Sequence, residues 1–196
     1  MPKKKATGGA IPKIVKKAAA KPTPKTRTPA NAAAAAKASY KLGIGDKAPN
    51  FSAPSTSGAA LGLKSFSGQA LVIYFYPKDN TPGCTLEGHD FRKLYPQFKK
   101  AGAEVIGVSR DNMKSHEGFK AKCGFPFELL ADEDGKLCGA FDVIQMKSLY
   151  GRKFLGIERS TFLVSPDGRI AAQWRKVRVA GHADEVLAAV HELKSK

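Results

Sequence analysis

The chain has 196 residues, with 33 Lys and Arg against 17 Asp and Glu and a formal net charge of +16, enough for one well-packed domain with residues to spare. Three cysteines, an odd number, do not make a disulfide framework, no apolar run approaches the roughly 20 residues that cross a bilayer, and no apolar segment of a secretory signal follows the N-terminal lysines. The expectation is a soluble, cytoplasmic protein in a reducing compartment, where thiols persist unless chemistry uses them.

The charge is unevenly spread. Residues 1–40 hold ten basic side chains and no acid, and the first acid is Asp46. That leaves 23 basic against 17 acidic residues for the rest. The first segment is Lys, Ala, Pro and Thr with no aromatic before Tyr40. It cannot bury enough apolar surface to offset its ordering entropy, so a disordered tail is expected over 1–40 and a folded domain over 41–196. "NAAAAAKASYKL" has helical composition, but a helix of about 12 residues is marginal alone.

From Leu42 the pattern changes. "LVIYFY" (71–76) is a continuous apolar run, as in a central strand buried on both faces. Phe91, Leu94, Tyr95 and Phe98 then recur at helical spacing, with Pro96 expected to kink the helix. "AEVIGVS" (103–109) is a second strand, Met113 to Cys123 a helix stopped by Gly124, and "FELLA" (127–131) a third strand. A short helix is expected near Leu137–Phe141. "STFLVS" and "IAAQWR" around the turn "PDGR" make a hairpin, and 182–194 a final helix with Val186, Leu187, Val190 and Leu193 on one face. Alternating strands and helices followed by a hairpin and a helix imply an α/β fold, a central mixed β-sheet flanked by helices.

Cys84 stands where the first strand turns into a helix, in "YFYPKDNTPGCTLEGH". The carboxyl end of a central strand is where sites collect in open α/β sheets. The free N–H groups and the positive end of the helix favour an anion there, so this position favours the thiolate, the nucleophilic form. Pro82 and Gly83 shape the turn, and Thr81 places a hydroxyl three residues before the sulfur.

"YFYPKDNTPGCT" resembles the active-site segment of the peroxiredoxins, in particular the bacterioferritin-comigratory-protein or Q-type group. Their pattern Pro-x-x-x-Thr-x-x-Cys is met by Pro77, Thr81 and Cys84. The likeness continues through "EVIGVSRDNMKSHEGF", "GFPFELLADEDGKLCGAFDV" and "GIERSTFLVSPDGRI", covering about residues 42–194 but not the tail. It implies a thioredoxin-like fold, a monomer, and a thiol peroxidase acting on hydrogen peroxide and organic hydroperoxides without metal, flavin or haem. It also implies an arginine, matched by Arg159. A fixed cation beside the sulfur would favour the thiolate and polarise the peroxide. In the implied cycle Cys84 becomes a sulfenic acid, a second thiol converts it to a disulfide, and a thioredoxin-like reductant restores it.

The chain departs from the family at the second thiol. Many members carry a resolving cysteine five residues after the first, where this chain has His89. Another subgroup places it on the next helix, at a position matching Lys120. Cys123 lies three residues later, on roughly the same helix face. Two readings stay open: Cys123 resolves Cys84 after local unfolding, or Cys123 is a packed apolar residue and an external thiol reduces Cys84 directly. Cys138 reads as a buried structural cysteine.

The tail points to a polyanion partner, DNA or RNA contacted through phosphates, and hence to the nucleoid or, in a eukaryote, the nucleus. The competing reading of the whole chain is a nucleic-acid-binding protein on a degenerate thioredoxin-like scaffold. The joint presence of Pro77, Thr81, Cys84 and Arg159 weighs against it.

Overall fold

The computed structural model describes residues 40–149 and 151–195. The expected disorder of the tail and most of its alanine-rich stretch lie outside them. Two three-residue strands come first, β1 (Ser52–Pro54) and β2 (Ala60–Gly62), paired antiparallel. There follow β3 (Ala70–Phe75), α1 (Pro82–Lys100), β4 (Ala103–Ser109), α2 (Met113–Cys123), β5 (Glu128–Ala131) and α3 (Lys136–Ala140). The chain ends with β6 (Ile144–Leu149), β7 (Arg152–Ile157), β8 (Ser160–Val164), β9 (Ile170–Trp174) and α4 (His182–Lys194).

The sheet runs β5-β4-β3-β8-β9. β3, β4 and β5 are parallel, joined by helical crossovers, while β8 and β9 add antiparallel beside β3. All six β3 residues are buried, as expected of a strand covered on both faces. Val72 and Tyr74 feed one core with Phe91, Phe98, Phe119 and Val186 from α1, α2 and α4. Leu71, Ile73 and Phe75 feed the other, with Leu137 and Cys138 of α3 and the N-terminal segment. Each fully buried phenylalanine contributes roughly 2–3 kcal/mol of apolar transfer.

α2 and α4 have the bounds the sequence predicts. Asn112 caps α2 by accepting the Ser115 N–H at 2.9 Å, and Gly124 ends it in the left-handed region at φ 62°. Pro96 sits inside α1 without dividing it: Pro82–Lys100 is one helix. Three features went unpredicted: the β1–β2 pair, a 3-10 helix over Leu63–Phe66, and an antiparallel ribbon of β6 with β7 outside the main sheet. Among the described residues no helix is long and apolar enough to cross a membrane.

Candidate active site

β3 and β8 pair antiparallel with Phe75 opposite Ser160. The carboxyl end of β3 therefore lies beside the amino end of β8, and this register brings two distant segments together. One is the loop from Tyr76 to Thr81, which leads into α1. The other is Glu158–Arg159, which leads into β8. The loop contains Asn80 at φ 57°, a left-handed conformation that asparagine tolerates.

Thr81 is the N-cap of α1, and the first helical bond runs from the Thr85 N–H to its carbonyl at 2.9 Å. Pro82 at the first helical position has no N–H, so Gly83 and Cys84 present the free donors of the helix start. Cys84 is buried, with Arg159 Nη2 3.2 Å from its Sγ. The guanidinium reaches further: Nη1 donates to Glu87 Oε2, one helical turn beyond the cysteine. One planar fork thus faces both the sulfur and a carboxylate. The charges of Glu87 and Cys84 outweigh burial and raise the Arg159 pKa above its ordinary value. Glu87 is itself 1% exposed, and its Oε1 has no partner among the described residues. Burial pushes its carboxyl up to about 7 against the pull of Arg159.

A second layer lies behind. His182, at the start of α4, is buried with Nε2 2.8 Å from the Thr161 hydroxyl. Burial and the nearby Arg159 push its pKa down to about 4, so the ring stays neutral near pH 7.

Of the residues singled out in the sequence, Cys84 and Arg159 are in direct contact. The Thr81 hydroxyl donates to the Lys78 carbonyl at 3.0 Å, and Pro77 is exposed on the same loop. Cys123 is buried at the end of α2, in the same core as Cys84. Burial pushes its thiol pKa up, against Lys122 and Arg92. Its carbonyl accepts from Arg92 Nη1 of α1 at 2.7 Å. Lys120 pairs instead with Glu128 of β5 at 2.6 Å. Cys138 belongs to the core on the opposite face of the sheet, its thiol pushed far up by burial and by Asp132. His89 is exposed, its ring edge-on to Phe125. Among the described residues no group of three or more His, Cys, Asp or Glu could hold a metal ion.

Sequence reasoning missed Glu87 and His182. Glu87 had a signal: it lies three residues after Cys84 on the stripe that continues through Gly88 and Phe91 into the core. His182 had none, because its partners come from β8.

Residues 44–173 match the AhpC/TSA family. The chain is 60% identical over 135 residues to peroxiredoxin Bcp of Xanthomonas campestris, covering 69% of this chain and 84% of that protein. It is 44% identical over 153 residues to peroxiredoxin Bcp of Bacillus subtilis, covering 78% and 98%. Among solved structures, peroxiredoxin Q of X. campestris superposes with a TM-score of 0.73 at 53% identity, covering 79% of this chain and 98% of that one. The bacterioferritin comigratory protein of X. campestris, studied for alkyl peroxide reduction, gives 0.73 at 52% identity, covering 79% and 99%. The expected thioredoxin-like fold is therefore the observed one, and the chain belongs to the AhpC/TSA family, among its Bcp or Q-type peroxiredoxins.

Proposed function

We propose that Cys84 is the thiol through which this peroxiredoxin, a thiol-dependent peroxidase, reduces its substrates. The observation that carries the reading is the Arg159 guanidinium, held by Glu87 and placed 3.2 Å from Cys84 Sγ at the start of a helix. The Cys84 thiolate attacks one oxygen of a hydroperoxide. The O–O bond breaks, and the departing oxygen takes a proton and leaves as water or alcohol. Arg159 stabilises the charge that develops across the breaking bond. Thr81, its own proton bound to Lys78, offers its oxygen to the hydroperoxide O–H, and Pro77 shapes the loop that holds it.

Cys84 is left as a sulfenic acid. Cys123 then supplies the resolving sulfur: an S–S bond forms, the S–O bond breaks, and the hydroxyl leaves with a thiol proton as water. Both sulfurs are buried, so the helix ends that carry them must open first. A thioredoxin-like dithiol exchanges with the disulfide and restores both thiols. Every group in this cycle except the reductant comes from one chain, which supports a monomer. The bacterial relatives support a cytoplasmic setting.

The test is a pair of variants. Cys84→Ser should abolish peroxidase activity, and retained activity would overturn the reading. Cys123→Ser should keep the first oxidation and lose the intramolecular disulfide. Unchanged turnover in that variant would assign resolution to an external thiol.

The relatives give no support to a degenerate scaffold that only binds nucleic acid. The charge of residues 1–40 does favour one addition, a tail that tethers the peroxidase to DNA or RNA through phosphates. Binding that weakens with salt and is lost on deleting residues 1–40 is expected. Equal affinity without them would refute it.

A further inference from the structure

The Cys84 loop and the helix carrying Cys123 are joined by a buried polar cluster that the peroxidase chemistry leaves unused. Asp79, five residues before Cys84, is 4% exposed, and His116 of α2 is wholly buried. His116 Nδ1 lies 2.9 Å from Asp79 Oδ2 and 3.1 Å from Oδ1, and Nε2 lies 3.1 Å from the Leu130 carbonyl of β5. The ring thus bridges the Asp79 carboxylate and the Leu130 carbonyl, with the Tyr76 hydroxyl 3.4 Å from Nδ1. The Tyr76 hydroxyl donates to Asp79 Oδ1 at 2.8 Å and the Ser115 hydroxyl to Oδ2 at 2.7 Å. The Asp79 N–H donates to Asp111 Oδ2 at 2.8 Å. Burial pushes the Asp79 carboxyl up, but the bonds from His116, Ser115 and Tyr76 outweigh it and hold the group below its ordinary value.

We propose that the Asp79–His116 pair is a latch that makes opening of the Cys84 loop and unfolding of α2 one event, so that its strength sets how often Cys84 and Cys123 meet. The consequence for catalysis rests on the reading of Cys123 as resolver; the coupling of the two segments does not. In the closed arrangement Cys84 Sγ faces Arg159, and the Cys123 carbonyl is held by Arg92. The Phe125 ring packs so close to Gly88 of α1 that a Cβ there would lie 2.3 Å from it. The C-terminal end of α2 is thus wedged against α1, while its first turn is fastened to the loop by the latch. Freeing one end alone leaves the other holding.

Opening the latch breaks the hydrogen bonds that Asp79 and His116 make in the closed arrangement, so the closed state is the resting one. While it persists, the Cys84 sulfenic acid stays exposed to a second hydroperoxide. That second reaction transfers an oxygen to sulfur, giving the sulfinic acid and an alcohol or water. The latch therefore trades speed of resolution against oxidative inactivation.

The test uses Ser115→Ala, which deletes one bond to Asp79, and His116→Asn, which deletes the imidazole between Asp79 and Leu130. Should His116→Asn fail to fold, Ser115→Ala carries the experiment. Amide hydrogen exchange of the reduced protein should show residues 77–83 and 113–123 losing protection together, roughly tenfold for a lost bond to a charged acceptor. The same change should occur in a Cys123→Ser background. Loss confined to 113–123, or no loss, would overturn the latch. In single-turnover oxidation the Cys84–Cys123 disulfide should form about tenfold faster in Ser115→Ala, with less sulfinic acid at a given peroxide concentration. Coupled exchange with an unchanged disulfide rate would overturn the claim that the latch gates resolution. Coupled exchange in a protein that forms no such disulfide even as wild type would uphold the coupling and refute Cys123 as resolver.

Discussion

Replacing Glu87 by Gln should remove a defined part of the dependence of stability on pH. Glu87 is 1% exposed, bound to Arg159 through one oxygen and unpartnered at the other among the described residues. Burial raises its carboxyl from the ordinary 4.5 to about 7. Between those values the folded protein holds a proton that the unfolded chain has released. Stability there falls as pH rises. The contribution is complete below pH 4.5, is lost as pH climbs through 7, and amounts in full to about 3 kcal/mol. Most of it, about 2–3 kcal/mol, falls between pH 5 and pH 8, at 2.303RT per proton integrated over that range. Gln has no proton to lose. The stability of Glu87→Gln relative to wild type should therefore rise by about 2–3 kcal/mol from pH 5 to pH 8, read by urea unfolding at each pH. His182 has the opposite sign: burial and Arg159 lower it to about 4, so its contribution is present above pH 6.5 and is lost as pH falls. It titrates in both proteins, and the difference between them isolates Glu87. A difference that stays constant from pH 5 to pH 8 would refute the reasoning.

Arg159→Lys keeps a charge but loses the fork that faces Cys84 and Glu87 at once. The rate of Cys84 oxidation should fall about a hundredfold, measured by stopped flow with hydrogen peroxide; a fall under threefold would contradict the bridging role. Gly88→Ala places a Cβ 2.3 Å from the Phe125 ring. It should lower stability by about 1–3 kcal/mol at unchanged urea m-value, and an unshifted midpoint would show that the ring yields freely. Cys138→Ala changes a side chain on the far face of the sheet. It should leave peroxidase turnover unaltered and cost about 1 kcal/mol in unfolding; loss of turnover would bring Cys138 into the cycle.

The parts of the fold carried by local pattern were legible. β3 is an unbroken apolar run, and α2 ends at a glycine whose backbone has the left-handed φ such a stop requires. The β6–β7 ribbon was not, because Ile144 and Met146 alternate with polar residues for only four positions and β7 opens Arg152-Lys153 with Phe154 beside Leu155. β1 and β2 are three residues each, too short to carry a period. In the site, Cys84 and Arg159 came from a motif, and the Phe75–Ser160 register explains why residues 75 positions apart meet. Glu87 belongs to no motif in the sequence. Only its place on the buried stripe marks it, and that mark is easily overruled by its charge. Asp79 and His116 are 37 positions apart on a loop and a helix, with no spacing rule to join them. Their pairing exists only once α2 lies over the carboxyl end of the sheet.

The most direct test is peptide mapping by mass after one equivalent of hydrogen peroxide without reductant. The account predicts oxidation at Cys84 first, as a sulfenic acid trapped by a dimedone-type reagent in Cys123→Ser and as a Cys84–Cys123 disulfide in wild type, with Cys138 unmodified in both. An unmodified Cys84, with peroxide consumed at another residue or not at all, would contradict it.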